Sequence, residues 1–143
     1  IQILKVVVGS QAHGLANENS DYDYRGVFVV PTGELIKIGG QDIKHTSWIE
    51  GKEDDTSWEI GKFLLMATKC NPTVLETFLA PRAVSTETTI DEFGNGIDWG
   101  LELQSLFPHV WNSTDVKNAF IGYGLNQRKK FFDNKDNRAP KYA

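Results

Sequence analysis

The chain is poor in the residues that often betray a protein's class. It carries one cysteine, Cys70, in 143 residues. That excludes an internal disulfide framework and a cysteine-built zinc site, and it favours a reducing compartment, so a cytoplasmic location is expected. No apolar run approaches the roughly 20 residues that a membrane-spanning helix needs, so no membrane partner is expected. An excess of positive charge is missing as well. Lys and Arg number 15 against 19 Asp and Glu, a formal net charge of -4, which argues against gripping long nucleic acid by phosphate contacts alone. The one basic cluster, Arg128, Lys129 and Lys130 with Lys135 and Arg138 beyond it, fits a solvated helix end, where cations suit the last turn. The chain starts at Ile1 without a methionine and stops at APKYA, which fits trimmed termini and leaves room for a targeting segment.

What is present is ordinary for a globular protein, with 40% hydrophobic, 11% aromatic and 24% charged residues. A chain of this size makes one domain and buries about two-thirds of its unfolded surface. Residues 1–8 (IQILKVVV) and 22–30 read as strands, the second stopped by Pro31-Thr32-Gly33; between them residues 11–16 allow only a short helix. Residues 34–40 and 44–50 read as weaker strands of a hairpin around Gly39-Gly40, and 56–60 as a further strand or the lead into a helix. From Glu59 the period changes, with Ile60, Phe63, Leu64 and Ala67 at helical spacing. Asn71 then suits an N-cap and Pro72 the first helical position of a stripe formed by Val74, Leu75, Phe78 and Leu79. Residues 82–99 read as loop and 114–132 as a third helix capped by Thr114. Strands precede helices, so the expected class is α+β, with helices against one face of a small mixed sheet. Residues 1–80 form the expected core, and 81–143 the loop and C-terminal helical part of the same, truncated, domain.

The stretch VVVGSQAHGLANENSDYDYRGVFVV, residues 6–30, carries the chemistry. On a strand, residues i and i+2 project to one face, so Asp21 and Asp23 would stand about 6 to 7 Å apart. At an effective dielectric of about 20 that separation costs roughly 3 kcal/mol of repulsion, a large part of a domain's stability. Open water, the guanidinium of Arg25 two residues on, or a divalent cation would each offset it; magnesium prefers carboxylate oxygens in sites completed by water and phosphates. Gly9-Ser10 fits the cation reading, since a glycine at a strand exit lets a ligand approach the backbone and the next amides present donors to an anion. Gly-Ser alone is also an ordinary turn and Ser20-Asp21 an ordinary Asx turn; the combination of strand, Gly-Ser, Asp-x-Asp and second strand is far rarer.

GSQAHGLANENSDYDYRGVFV resembles the signature of the DNA polymerase β-like nucleotidyltransferase superfamily, and within it a stand-alone branch with the RNA-ligase-associated nucleotidyltransferases of bacteria and phages. The matching residues are Gly9, Ser10, Ala12, Gly14, Leu15, Ser20, Asp21, Asp23, Arg25, Gly26 and Val27, then Lys62, Phe63, Asn71, Pro72 and Glu76, with FIGYGLNQ from Phe120 similar to a later helix of the branch. The resemblance implies the nucleotidyltransferase fold and transfer of a nucleoside monophosphate from a nucleoside triphosphate, ATP among them, to an acceptor hydroxyl. It implies Mg2+ or Mn2+ on Asp21, Asp23 and a third carboxylate, matched to Asp54 in DDTSWEIGKF. Asp55 is one residue away, and in an extended segment only one of the two can face the metals. Gly9, Ser10, His13, Arg25 and Lys62 are the expected nucleotide-binding residues; Lys62 equally suits a solvated helix surface. Trp48, Trp58, Trp99 and Trp111 are expected in the core or an interface, where one could stack on a base. An RNA 3′ end, a protein hydroxyl or a small molecule is the expected acceptor. The competing expectation is an inactive nucleotide-binding regulatory or interaction module.

Overall fold

A computed structural model describes residues 1–36, 46–49, 52–83, 88–90 and 93–133, with the backbone alone for 46–49, 52–54, 88 and 133. The first half runs β1 (Gln2–Val8), α1 (Gly9–Ala12), β2 (Asp23–Phe28), α2 (Thr32–Leu35), β3 (Thr46–Ile49), β4 (Lys52–Glu59) and α3 (Ile60–Ala67). The second runs α4 (Pro72–Leu79), β5 (Thr88–Ile90), β6 (Gly96–Asp98), α5 (Trp99–Ser105), α6 (Phe107–Val110) and α7 (Ser113–Arg128), which ends in a π-helical turn, Lys129–Asp133. β1, β2, β4 and β3 form, in that order, one mixed sheet. β2 is antiparallel to β1 and parallel to β4, and β3 is antiparallel to β4. The fold is α+β, as expected, with helices packed against a small mixed sheet.

Register explains the core. Leu4 lies opposite Val27, Val6 opposite Arg25 and Val8 opposite Asp23, while Arg25 pairs with Thr56 and Val27 with Trp58. Alternation therefore gathers Leu4, Val6, Val8, Val27 and Trp58 on one face, all buried. Phe63 and Ala67 of α3, Val74 and Phe78 of α4, and Leu103 of α5 close over that face. Fully burying a side chain such as Leu4 or Val27 contributes about 1.5 to 3 kcal/mol before entropy is counted. Phe63 and Phe78 pack with ring centroids 5.0 Å apart, tilted by 48°. The opposite face carries Lys5, whose ammonium meets Asp55 Oδ2 at 2.7 Å and covers the Tyr24 ring at 4.7 Å. Asp23 and Arg25 thus sit at the polar end of the face that builds the core.

The expected strand over 1–8 is β1, and the expected helices over 60–67 and 72–79 are α3 and α4. Asn71 caps α4, its Oδ1 accepting from the amides of Thr73 and Val74. Other expectations change. The second strand starts at Asp23 and ends at Phe28. Glu34 and Leu35 lie in α2, because Pro31 turns the chain and its carbonyl accepts from the Glu34 amide at 2.9 Å; the hairpin around Gly39-Gly40 falls outside the described residues. β3 pairs with β4. Residues 82–99, expected as loop, contain β5 and β6 paired to each other. The cap of α7 is Asn112, not Thr114: Asn112 Oδ1 accepts from Thr114 and Asp115 amides at 3.0 and 3.1 Å. A preceding amide side chain outcompetes Thr114, whose own amide is one of those needing an acceptor.

Past α4 the chain lines the outer edge of β1, where the Val7 amide donates to the Pro81 carbonyl and the Ala83 amide to that of Lys5. Arg82 there donates from Nη1 to Asp98 Oδ2 at 2.6 Å, while Asp98 Oδ1 caps α5 through the Leu101 amide. The Arg82 hydrogen bond above all, and the Leu101 amide after it, hold the Asp98 carboxyl below its ordinary value of 3.8. A depressed folded pKa means that this contribution is complete above the unfolded value and is lost as pH falls through the folded one. Wild type should therefore lose more of its melting temperature than Asp98→Asn when pH is lowered from about 5 to about 2. Equal losses in thermal scans would show that the pair contributes nothing.

Candidate active site

Gly9 is the pivot of the site. It leaves β1 with φ +69°, a region in which a Cβ is strained, and an added Cβ would run into the carboxylate of Asp23. The bend between β1 and α1 and the first carboxylate of β2 are thus pressed together, with Val8 and Asp23 opposite each other in the ladder. Only a residue without a side chain lets a carboxylate stand that close to the backbone. Ser10 follows in α1, its carbonyl accepting from the Leu15 amide at 2.9 Å.

Asp21 precedes β2 and is exposed. Tyr22 and Tyr24 stack, centroids 6.2 Å apart and 15° from parallel, so i/i+2 alternation extends beyond the start of the strand. Within the strand, alternation turns Asp23 to the side away from the Tyr24 ring. Arg25 is half-buried on the face of Asp23, and its Nη1 donates to the Tyr24 carbonyl at 2.8 Å. Lys62 stands in the first turn of α3, its amide donating to Glu59 Oε2 at 3.1 Å.

Of the two candidate third carboxylates, Asp55 lies opposite Tyr24 in the parallel ladder and is tied to Lys5 on the outer face. It does not converge with Asp23. Asp54 precedes it on β4, with a side chain outside the described ones. Among the described residues no group of three or more His, Cys, Asp or Glu is gathered to hold a metal.

Glu76 is the residue that sequence reasoning misplaces. Its apolar sequence neighbours lead one to expect that it either faces solvent or pairs with Arg25 or Lys62. Instead Oε1 accepts from the Gly9 amide at 3.3 Å and lies 3.2 Å from His13 Nε2. A carboxylate from α4 therefore sits at the bend itself. Nothing in the local sequence signals a partnership across 67 residues.

A four-stranded mixed sheet with a glycine bend pressed on the first carboxylate of the neighbouring strand is consistent with a polymerase β-like nucleotidyltransferase, and a family model supplies the class. The chain belongs to the RNA repair pathway DNA polymerase beta family (RlaP), whose profile matches residues 2–143. Neither the curated proteins nor the solved structures compared gave a match. No helix among the described residues is long and apolar enough to cross a membrane.

Proposed function

We propose that the protein moves a nucleoside monophosphate from a nucleoside triphosphate to an acceptor hydroxyl and releases pyrophosphate. The observation that carries this reading is the close approach of the Asp23 carboxylate to Gly9. It brings hard oxygen donors beside a backbone that a phosphate can reach, which is the donor chemistry Mg2+ or Mn2+ requires. Asp21, Asp23 and Asp54 would hold the cations, which would neutralise charge on the reacting phosphate and acidify the attacking hydroxyl.

The remaining work falls to the chain. The Gly9-Ser10 bend receives the phosphates, the Gly9 amide itself being held by Glu76 Oε1, with Arg25 and Lys62 balancing their charge and His13 beside them. Asp54 receives the proton of the acceptor hydroxyl. The acceptor oxygen then forms its bond to the α-phosphorus as the bond to the bridging oxygen breaks, and pyrophosphate leaves with that electron pair. The family's description, an RNA repair pathway, favours an RNA end as acceptor over a protein or small-molecule hydroxyl.

Incubating the protein with each α-labelled triphosphate, Mg2+ or Mn2+, and separate pools of RNA, protein and metabolites tests this. Label should enter the RNA pool with one pyrophosphate released per transfer. Tight triphosphate binding with no pyrophosphate from any pool would assign the protein instead to the nucleotide-binding modules.

A further inference from the structure

Beside the Gly9 bend lies a cleft of about 770 Å³ between α1, α4 and α7, within the range of small-molecule sites. Its lining includes His13, Glu76, Leu79, Trp111, Phe120 and Tyr123. Apolar and aromatic surface dominates, with the polar pair His13 and Glu76 at the end nearest the bend. Trp111 packs on Phe107, centroids 5.5 Å apart, yet the aromatic walls keep much of their surface open. α7 buries none of its residues, and Trp111, Phe120 and Tyr123 are each about half exposed, at 49, 50 and 52%. Such rings are a surface on which a planar group can stack.

We propose that this cleft receives the base of the donor nucleotide, and that Glu76 favours a base carrying an exocyclic amino group. This rests on the nucleotidyltransferase reading above. One carboxylate oxygen, Glu76 Oε1, touches the Gly9 amide while its side chain lines the cleft. The cleft therefore begins one side chain away from the bend proposed to hold the phosphates. A carboxylate only accepts hydrogen bonds. Adenine, guanine and cytosine offer it an amino group; uracil offers only a ring N–H. An acceptor base is the less natural occupant, because the wall of the cleft is continuous with the donor's phosphate loop.

Calorimetry in Mg2+ with four nucleoside triphosphates and inorganic tripolyphosphate tests this directly. Tripolyphosphate supplies the phosphates without a base. Wild type should bind ATP, GTP or CTP at least about tenfold more tightly than tripolyphosphate, as stacking of one base implies, and UTP more weakly than the best of the three. Phe120→Ala and Tyr123→Ala, both at exposed positions on α7, should each lose about tenfold in affinity for that nucleotide. Neither should change tripolyphosphate binding. Glu76→Gln should narrow the preference over UTP. Equal binding of all triphosphates and tripolyphosphate, or unchanged nucleotide affinity in both α7 variants, overturns the base site while leaving the transferase reading intact. Failure of wild type to bind any triphosphate overturns both.

Discussion

Asp21→Asn, Asp23→Asn and Asp54→Asn should each lower nucleotide transfer by about a thousandfold or more, whereas Asp55→Asn should stay within about tenfold of wild type. The contrast between Asp23 and Asp55 follows from which way each of the two faces. Asp23 stands against Gly9 on the side of the phosphate bend; Asp55 is turned to the outer face, 2.7 Å from Lys5. Amide oxygen is a neutral and poorer ligand than carboxylate for a hard dication, so Asn keeps the shape and removes the charge. Stability should move the other way. With no cation bound, Asp21→Asn removes an exposed charge close in sequence to Asp23 and should leave the melting temperature unchanged or raised. Asp55→Asn breaks an ion pair whose side chains are only 23% and 15% exposed and should cost about 1 kcal/mol. Initial rates of pyrophosphate release, set beside thermal scans of the four variants, separate the two effects. Full turnover in Asp21→Asn and Asp23→Asn together would remove the metal site from the proposal. Loss of turnover in Asp55→Asn with Asp54→Asn active would move the third carboxylate by one residue.

The parts of the fold that sequence makes legible are those fixed by local physics. The β-branched run of β1, the helical period from Ile60 to Ala67 and the Asn71-Pro72 start of α4 each carry their own signal. What it hides depends on distant partners. β5 and β6 have three residues each, too few for a pattern of alternation, and exist because each supplies the other's hydrogen bonds. α5 carries a usable signal in Asp98, an N-cap residue, but the glycine beside Trp99 blurs the period that follows. In the site, Gly9-Ser10 and Asp21-x-Asp23 are readable as a motif because their chemistry is local. Glu76 is not, since its role as acceptor for the Gly9 amide comes from the way α4 packs across β1. The face of Asp55 likewise follows from strand register against β2, a tertiary fact.

Gly9→Ala should be the most damaging glycine-to-alanine change among the described residues. Two separate costs fall on it. The backbone at φ +69° disfavours any residue with a Cβ, by about 1 to 2 kcal/mol. The new methyl also has no room, because the Asp23 carboxylate occupies its place. If the bend yields, the strain is spread into β1; if Asp23 yields, its carboxylate leaves the position at which it binds metal. A displacement of about 1 Å at a reacting centre costs on the order of a hundredfold in rate, so transfer should fall by at least that much. The two costs can be told apart by a double-mutant cycle. Asp23→Ala removes the collision and leaves the dihedral strain, so Gly9→Ala should destabilise the Asp23→Ala protein less than it destabilises wild type, with a coupling of about 1 kcal/mol or more. Chemical denaturation of the four proteins measures it. A coupling near zero would mean that Asp23 does not bear on Gly9 in solution, and the carboxylate would lose the backbone contact on which its assignment to the phosphate bend depends.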